Sequence, residues 1–151
     1  MNLLFQSGDH VRGLITRLTL GIVILPHGLQ LMFGWFGGYG FTGSMNYFTG
    51  TVGLPWVVGF LVILFQFLGA LLLIAGVAAR PIALATIFLF IGMIVTAHLD
   101  YGFFMNWDGS QKGEGFEYHL LVIGLALLLL LEGAGKYSID YILSKKYQPR
   151  K

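Results

Sequence analysis

Cysteine is absent from all 151 residues, which excludes disulfides, thiol exchange and thiolate ligation of zinc or an iron–sulfur cluster. Any redox role therefore needs a borrowed cofactor. Charge is scarce as well: Asp, Glu, Lys and Arg make up 11% of the chain, against 56% hydrophobic residues. With a mean hydropathy of +0.78, the chain is too apolar for a water-soluble domain of this size, and its solvent is lipid. Proline occurs only four times, and no Ser/Pro-rich or charged tract is long enough for a linker. Residues 1–151 read as a single transmembrane domain. The pI near 9.0 does not point to nucleic acid, because the few basic residues sit at helix ends, where membrane orientation accounts for them.

What the chain does have is long apolar runs. About 20 mostly apolar residues cross roughly 30 Å of hydrocarbon, and four stretches qualify: Leu14 to Phe33, Trp56 to Ala78, Pro81 to Leu99, and Phe116 to Leu131. The first has no small-residue cleavage pattern after it, so it is expected to stay in the mature protein rather than act as a signal peptide. Arg12, Arg17, Arg80, Lys136, Lys145, Lys146, Arg150 and Lys151 all fall on one side of such a bundle, while Lys112 stands opposite with Asp100, Asp108 and Glu114. The positive-inside bias predicts an all-α, four-transmembrane-helix bundle with both termini cytoplasmic. Pro81 suits the first turn of the third helix.

The segment from Gly34 to Pro55, between helices 1 and 2, carries no formal charge and interleaves glycine with aromatic rings. It is predicted to lie outside and fold back over the bundle at headgroup level, with a short helix begun by Ser44. Gly38-Tyr39-Gly40-Phe41-Thr42-Gly43 matches the dinucleotide fingerprint G-x-G-x-x-G in letters only, since no strand or βαβ unit surrounds it. Glycine turns are the better reading.

Polar residues within the spans are where chemistry is expected. Helical rise places His27 about 20 Å from the inner boundary, His98 about 25 Å along the third span and His119 about 5 Å inside the outer boundary. All three thus lie near one plane in the outer third of the bilayer. Gln30 shares the face of His27 at i+3, and Pro26 can free a carbonyl there. Gln66 lies near mid-membrane beside the small residues Gly69 and Ala70, which favours close helix packing. Glu117 and His119 stand roughly 200° apart on a helix, and His119 is the one expected to face the axis. Three readings stay open for the histidines: hydrogen bonds between helices, a quinone headgroup pocket, or haem or metal ligation, the last weakened because nothing fixes a ligand spacing. Trp107-Asp108-Gly109 reads as an aromatic anchor and turn. The acids near it lack a calcium-loop pattern.

Arg17-Leu18-Thr19-Leu20-Gly21, Pro26-His27-Gly28-Leu29-Gln30 and Phe33-Gly34-Trp35-Phe36-Gly37-Gly38 resemble the opening of the DoxX family. The resemblance continues through Gln66-Phe67-Leu68-Gly69, Ala79-Arg80-Pro81, His98 with Gly102-Phe103-Phe104, Glu117-Tyr118-His119 and Gly135-Lys136-Tyr137-Ser138-Ile139-Asp140. It implies a small four-helix protein of the bacterial inner membrane, whose namesake is a subunit of a thiosulfate:quinone oxidoreductase associated with a terminal quinol oxidase. Relatives commonly carry lysine where this chain has Leu31 and glutamate where it has Gln66. The two charges are missing together, as follows if they serve each other, and with them goes a mid-membrane carboxylate for proton transfer. The expected function is an accessory subunit of a quinone-linked redox assembly, not catalytic alone, holding a quinone or lipid-like ligand among His27, Gln30, Gln66, His98 and His119. The alternative is a purely structural subunit of a larger complex. Membrane lipids and other membrane subunits are the expected partners.

Overall fold

In a computed structural model that describes residues 7–147, every regular element among the described residues is helical. Arg150 and Lys151, counted above among the basic residues, lie outside them. The order is α1 (Val11–Phe33), a 3-10 turn (Trp35–Gly37), α2 (Gly40–Asn46) running into a π-helical segment π1 (Tyr47–Thr51), α3 (Trp56–Leu64), π2 (Phe65–Gly69), α4 (Ala70–Ala75), α5 (Ala79–Met93), π3 (Ile94–His98), a 3-10 turn (Leu99–Tyr101), α6 (Glu117–Glu132) and α7 (Ile139–Tyr147).

Three continuous helices are long and apolar enough to cross a membrane: Val11–Phe33, Trp56–Ala75 and Ala79–Tyr101. The fourth predicted stretch forms α6, whose 16 residues make about 24 Å of helix. The outward faces are themselves apolar, with Ile22, Leu61, Phe88, Val95, Leu121 and Leu131 exposed, as lipid-facing surface requires.

Element ends differ from the expected ones for local reasons. Helix α1 begins at Val11 because His10 caps it, its Nδ1 accepting from Gly13 N at 3.3 Å. The second span stops at Ala75, where Gly76 takes the left-handed conformation (φ 68°) that ends a helix. Ser44 does not begin the short external helix: α2 starts at Gly40, and Ser44 is buried inside it, its Oγ without a hydrogen-bond partner among the described residues. The G-x-G-x-x-G stretch begins just past the 3-10 turn and runs into the start of α2, with no strand among the described residues.

Helix α1 is central, packing on α4 and π2 along one side and on α6 along another, while α5 packs on α6. Its glycines make that closeness possible. A Cβ at Gly21 would fall on Ile74 and the Ala70 carbonyl, and one at Gly28 on the backbone of Gln66 and Phe67, so the backbones approach as side chains would not permit.

At the end holding the α4–α5 turn and α7, a polar network fastens the elements. Arg17, which the sequence groups with the orienting charges, is 2% exposed. Its guanidinium donates to the carbonyls of Ala134 (3.1 Å), Leu73 (3.3 Å), Ile74, Lys136 (3.3 Å) and Tyr137 (2.8 Å). Leu73 and Ile74 belong to the last turn of α4, where the helix dipole favours a cation, and the other three carbonyls to the link between α6 and α7. Buried Asp140 of α7 does the converse, accepting from Ala78 N and Ala79 N at 2.9 Å each at the N-terminus of α5.

Candidate functional site

Away from this network, the helices separate around a cavity of about 560 Å³. All three π-helical segments border it. Tyr47 and Phe48 come from π1, Gln66 from π2, and Thr96, Ala97 and His98 from π3. Inserting one residue into a helical turn re-aims the side chains that follow, which is why such segments accompany binding sites. Helix α1 contributes His27, Gln30 and Leu31, and the remaining lining is mostly aliphatic, as ligand sites of this size are.

Four of the five expected residues therefore line one cavity: His27, Gln30, Gln66 and His98. Their situations differ. Gln66 is 4% exposed, and its amide makes no hydrogen bond to a described residue; its close packing on α1 is made by backbone against Gly28, leaving the side chain to the cavity. Gln30 Nε2 donates to the Phe36 carbonyl at 3.3 Å and so ties down the turn after α1. His27 is exposed, with its ring centre 6.4 Å from that of Tyr118. His98 Nδ1 lies 2.8 Å from the Glu114 carbonyl. A carbonyl only accepts, so Nδ1 carries a proton, and in the uncharged tautomer this leaves Nε2 as the acceptor.

His119 does not line the cavity. It sits behind His98, ring centres 4.1 Å apart, is 3% exposed, and both its ring nitrogens are buried without a hydrogen-bond partner among the described residues. The hydroxyl of neighbouring Tyr118 is likewise buried and unpaired among them. A buried polar group left unsatisfied costs about 1–3 kcal/mol. Sequence reasoning passed over Tyr118, although its place between His119 and the Glu117 position offered the signal. Glu117 turns away, as expected, and Oε1 accepts from Met105 N at 2.9 Å and Trp107 Nε1 at 3.2 Å. Glu114 Oε2 accepts from Asn106 N at 2.7 Å. Two of these acids are thus occupied in shaping the 102–116 loop. Among the described residues, no three His, Asp or Glu side chains are grouped to hold a metal ion.

Leu31 and Gln66, the two positions for which the family resemblance implies opposite charges, both line the cavity. The site here is electrically quiet: its only formal charge belongs to Glu114, whose carboxylate is bonded to the loop.

Inner membrane protein YqjF of Escherichia coli (strain K12) is 31% identical over 92% of this chain and 97% of its own. A Bacillus subtilis (strain 168) protein named "Putative oxidoreductase CatD" is 28% identical over 85% of this chain and 83% of its own, and Inner membrane protein YphA of E. coli (strain K12) is 24% identical over 90% and 93%. No solved structure matches at comparable significance. Inner-membrane relatives and apolar helices make this a bacterial inner membrane protein. The DoxX family model matches residues 13–99, and the chain belongs to the DoxX family.

Proposed function

We propose that this protein holds the headgroup of a quinone in the cavity among α1, α3 and α5, as an accessory subunit of a membrane redox assembly. The observation that carries the reading is Gln66: a residue only 4% exposed, making no hydrogen bond to a described residue, on the wall of a largely apolar cavity. A cavity of this volume falls within the roughly 300–1,000 Å³ of small-molecule sites, and the residues fit a neutral ring with polar atoms. The Gln66 amide donates to a carbonyl, while His98 Nε2 accepts from a hydroxyl, so the oxidised and reduced forms each find a partner. When bound, the quinone supplies the electron-carrying chemistry, and with no thiol in the chain the electrons come from a partner subunit. The name of the Bacillus relative supports a redox setting.

The test is purification in mild detergent from native membranes, followed by solvent extraction and mass spectrometry. Wild type is expected to carry quinone, and Gln66→Leu to carry at least tenfold less at unchanged abundance. Protein that arrives with phospholipid alone would sink the quinone reading. Equal loss of abundance in His27→Ala, His98→Ala and His119→Ala would favour the scaffold reading, with the histidines acting as bridges between helices.

The same reading includes four crossings with both ends in the cytoplasm. Exposed Arg12, Lys145 and Lys146, with half-buried Arg80 and Lys136, share the end of the bundle that holds α7, and cytoplasmic faces carry such an excess. Helix α6 then crosses with help from Phe116 and the residues after Glu132. Because the native chain has no cysteine, single substitutions report without background. Thr42→Cys and Ser110→Cys are expected to react with a membrane-impermeant maleimide in spheroplasts, and Lys145→Cys only after lysis. The reverse pattern would invert the topology.

A further inference from the structure

The two arms of the α3–α4/α5 hairpin face each other level by level. Gln66 lies nine residues before Ala75 and Phe88 nine after Ala79, so both stand about 14 Å from the turn. Val62 and Gly92 share a level at about 20 Å, and Val58 and Thr96 one at about 26 Å. All six residues line the cavity, as an i, i+4, i+8 row on each arm. Near the turn the arms touch, α5 packing on α4 and π2, but α3 and α5 share no comparable contact. The hairpin is therefore shut at its base and splayed above Gln66.

The splayed edge opens sideways. Val58 is 41% and Phe88 67% exposed, Gly92 and Thr96 are also exposed, and a Cβ at Gly92 would meet nothing within 4 Å. The levels at 14 and 20 Å from the turn fall inside a hydrocarbon layer of about 30 Å. An opening with apolar lips at that depth meets acyl chains before it meets water.

We propose that the α3–α5 cleft is a lateral portal, through which a long-chain membrane amphiphile passes its head to Gln66 while its apolar chain stays between the Val58–Val62 and Phe88–Gly92 lips. For a quinone as the amphiphile this rests on the function proposed above. The portal itself does not, because any bilayer chain can probe it.

Two experiments on the full-length protein in proteoliposomes test it. In the first, Gly92→Cys labelled with bimane is placed in bilayers containing phospholipids brominated on mid-chain carbons. Strong quenching, matching that at lipid-facing Val95→Cys, is expected, and emission that resists bromolipid yet is quenched by aqueous iodide would overturn the portal. In the second, Val62→Cys/Gly92→Cys is closed with a reducible bis-maleimide and offered ubiquinone-10 in the bilayer. Uptake is expected to fall at least tenfold and to return when the linker is reduced; uptake unchanged by closure would overturn the proposal. If the unlinked protein takes up no ubiquinone-10 while Gly92→Cys is quenched by bromolipid, the quinone reading fails and the portal stands.

Discussion

Arg17→Met is expected to remove most of the folded protein from the membrane. The arginine sits near the start of α1, yet its five hydrogen bonds reach carbonyls at the end of α4 and in the segment after α6. Leu73 and Ile74 lie in the last turn of α4, and the other three carbonyls belong to the link between α6 and α7. Methionine fills much of the volume but supplies no donor, so a single change leaves several buried acceptors unpaired. Each buried acceptor left unpaired costs about 1–3 kcal/mol, so several together are a large part of the roughly 5–15 kcal/mol that holds a domain folded. Abundance in membranes and thermal unfolding in detergent, followed by size-exclusion of a fluorescent fusion, measure the loss. Arg17→Lys should fall between, because an ammonium keeps the charge but lacks the planar fork that serves three directions at once. A methionine variant as abundant and as heat-resistant as wild type would show that the network is not what fastens this end.

Arg17 also marks the limit of what the sequence discloses. Its charge and its place before an apolar run are equally those of an orienting residue at the membrane surface, and nothing local distinguishes that from a buried hub. The distinction depends on Ala134, Lys136 and Tyr137 returning to it from more than a hundred residues away. The three long apolar helices were legible because hydropathy is a property of consecutive residues, and helix ends moved by only a few positions where His10, Gly76 and Asp140 intervene. Depth arithmetic brought His27, His98 and His119 to one level, and the structure sets the His98 and His119 rings side by side. Depth says nothing about azimuth, however. It could not tell that His98 lines the cavity while His119 stands behind it, nor that π-helical segments re-aim Gln66 and His98. A π insertion depends on packing against neighbouring helices, and no residue pattern in Phe65–Gly69 or Ile94–His98 announces it.

Gly28→Val should be strongly damaging to the packing of α1. A Cβ there would stand 2.5 Å from the Gln66 carbonyl carbon and 2.6 Å from Phe67 Cα. Both are backbone atoms that cannot rotate aside, so α1 must back away from π2. Forcing extra carbons into a packed contact costs about 1–3 kcal/mol even where side chains can adjust, and here the obstacle is the neighbouring helix itself. The loss should appear as a lower unfolding temperature in detergent, whereas Gly124→Ala on α6, where a Cβ meets nothing within 4 Å, should be neutral or slightly stabilising through helix propensity. The contact also separates two roles for this part of α1. Gly28 does not line the cavity, but its neighbour His27 and its partner Gln66 do, so displacing α1 changes the distance between two walls of the site without altering any group in it. Gly28→Ala, the milder probe, should then lose bound quinone more steeply than it loses folded protein. Parallel losses would mean that the α1–π2 contact supports the fold alone, and that the site tolerates a wider gap than its geometry implies.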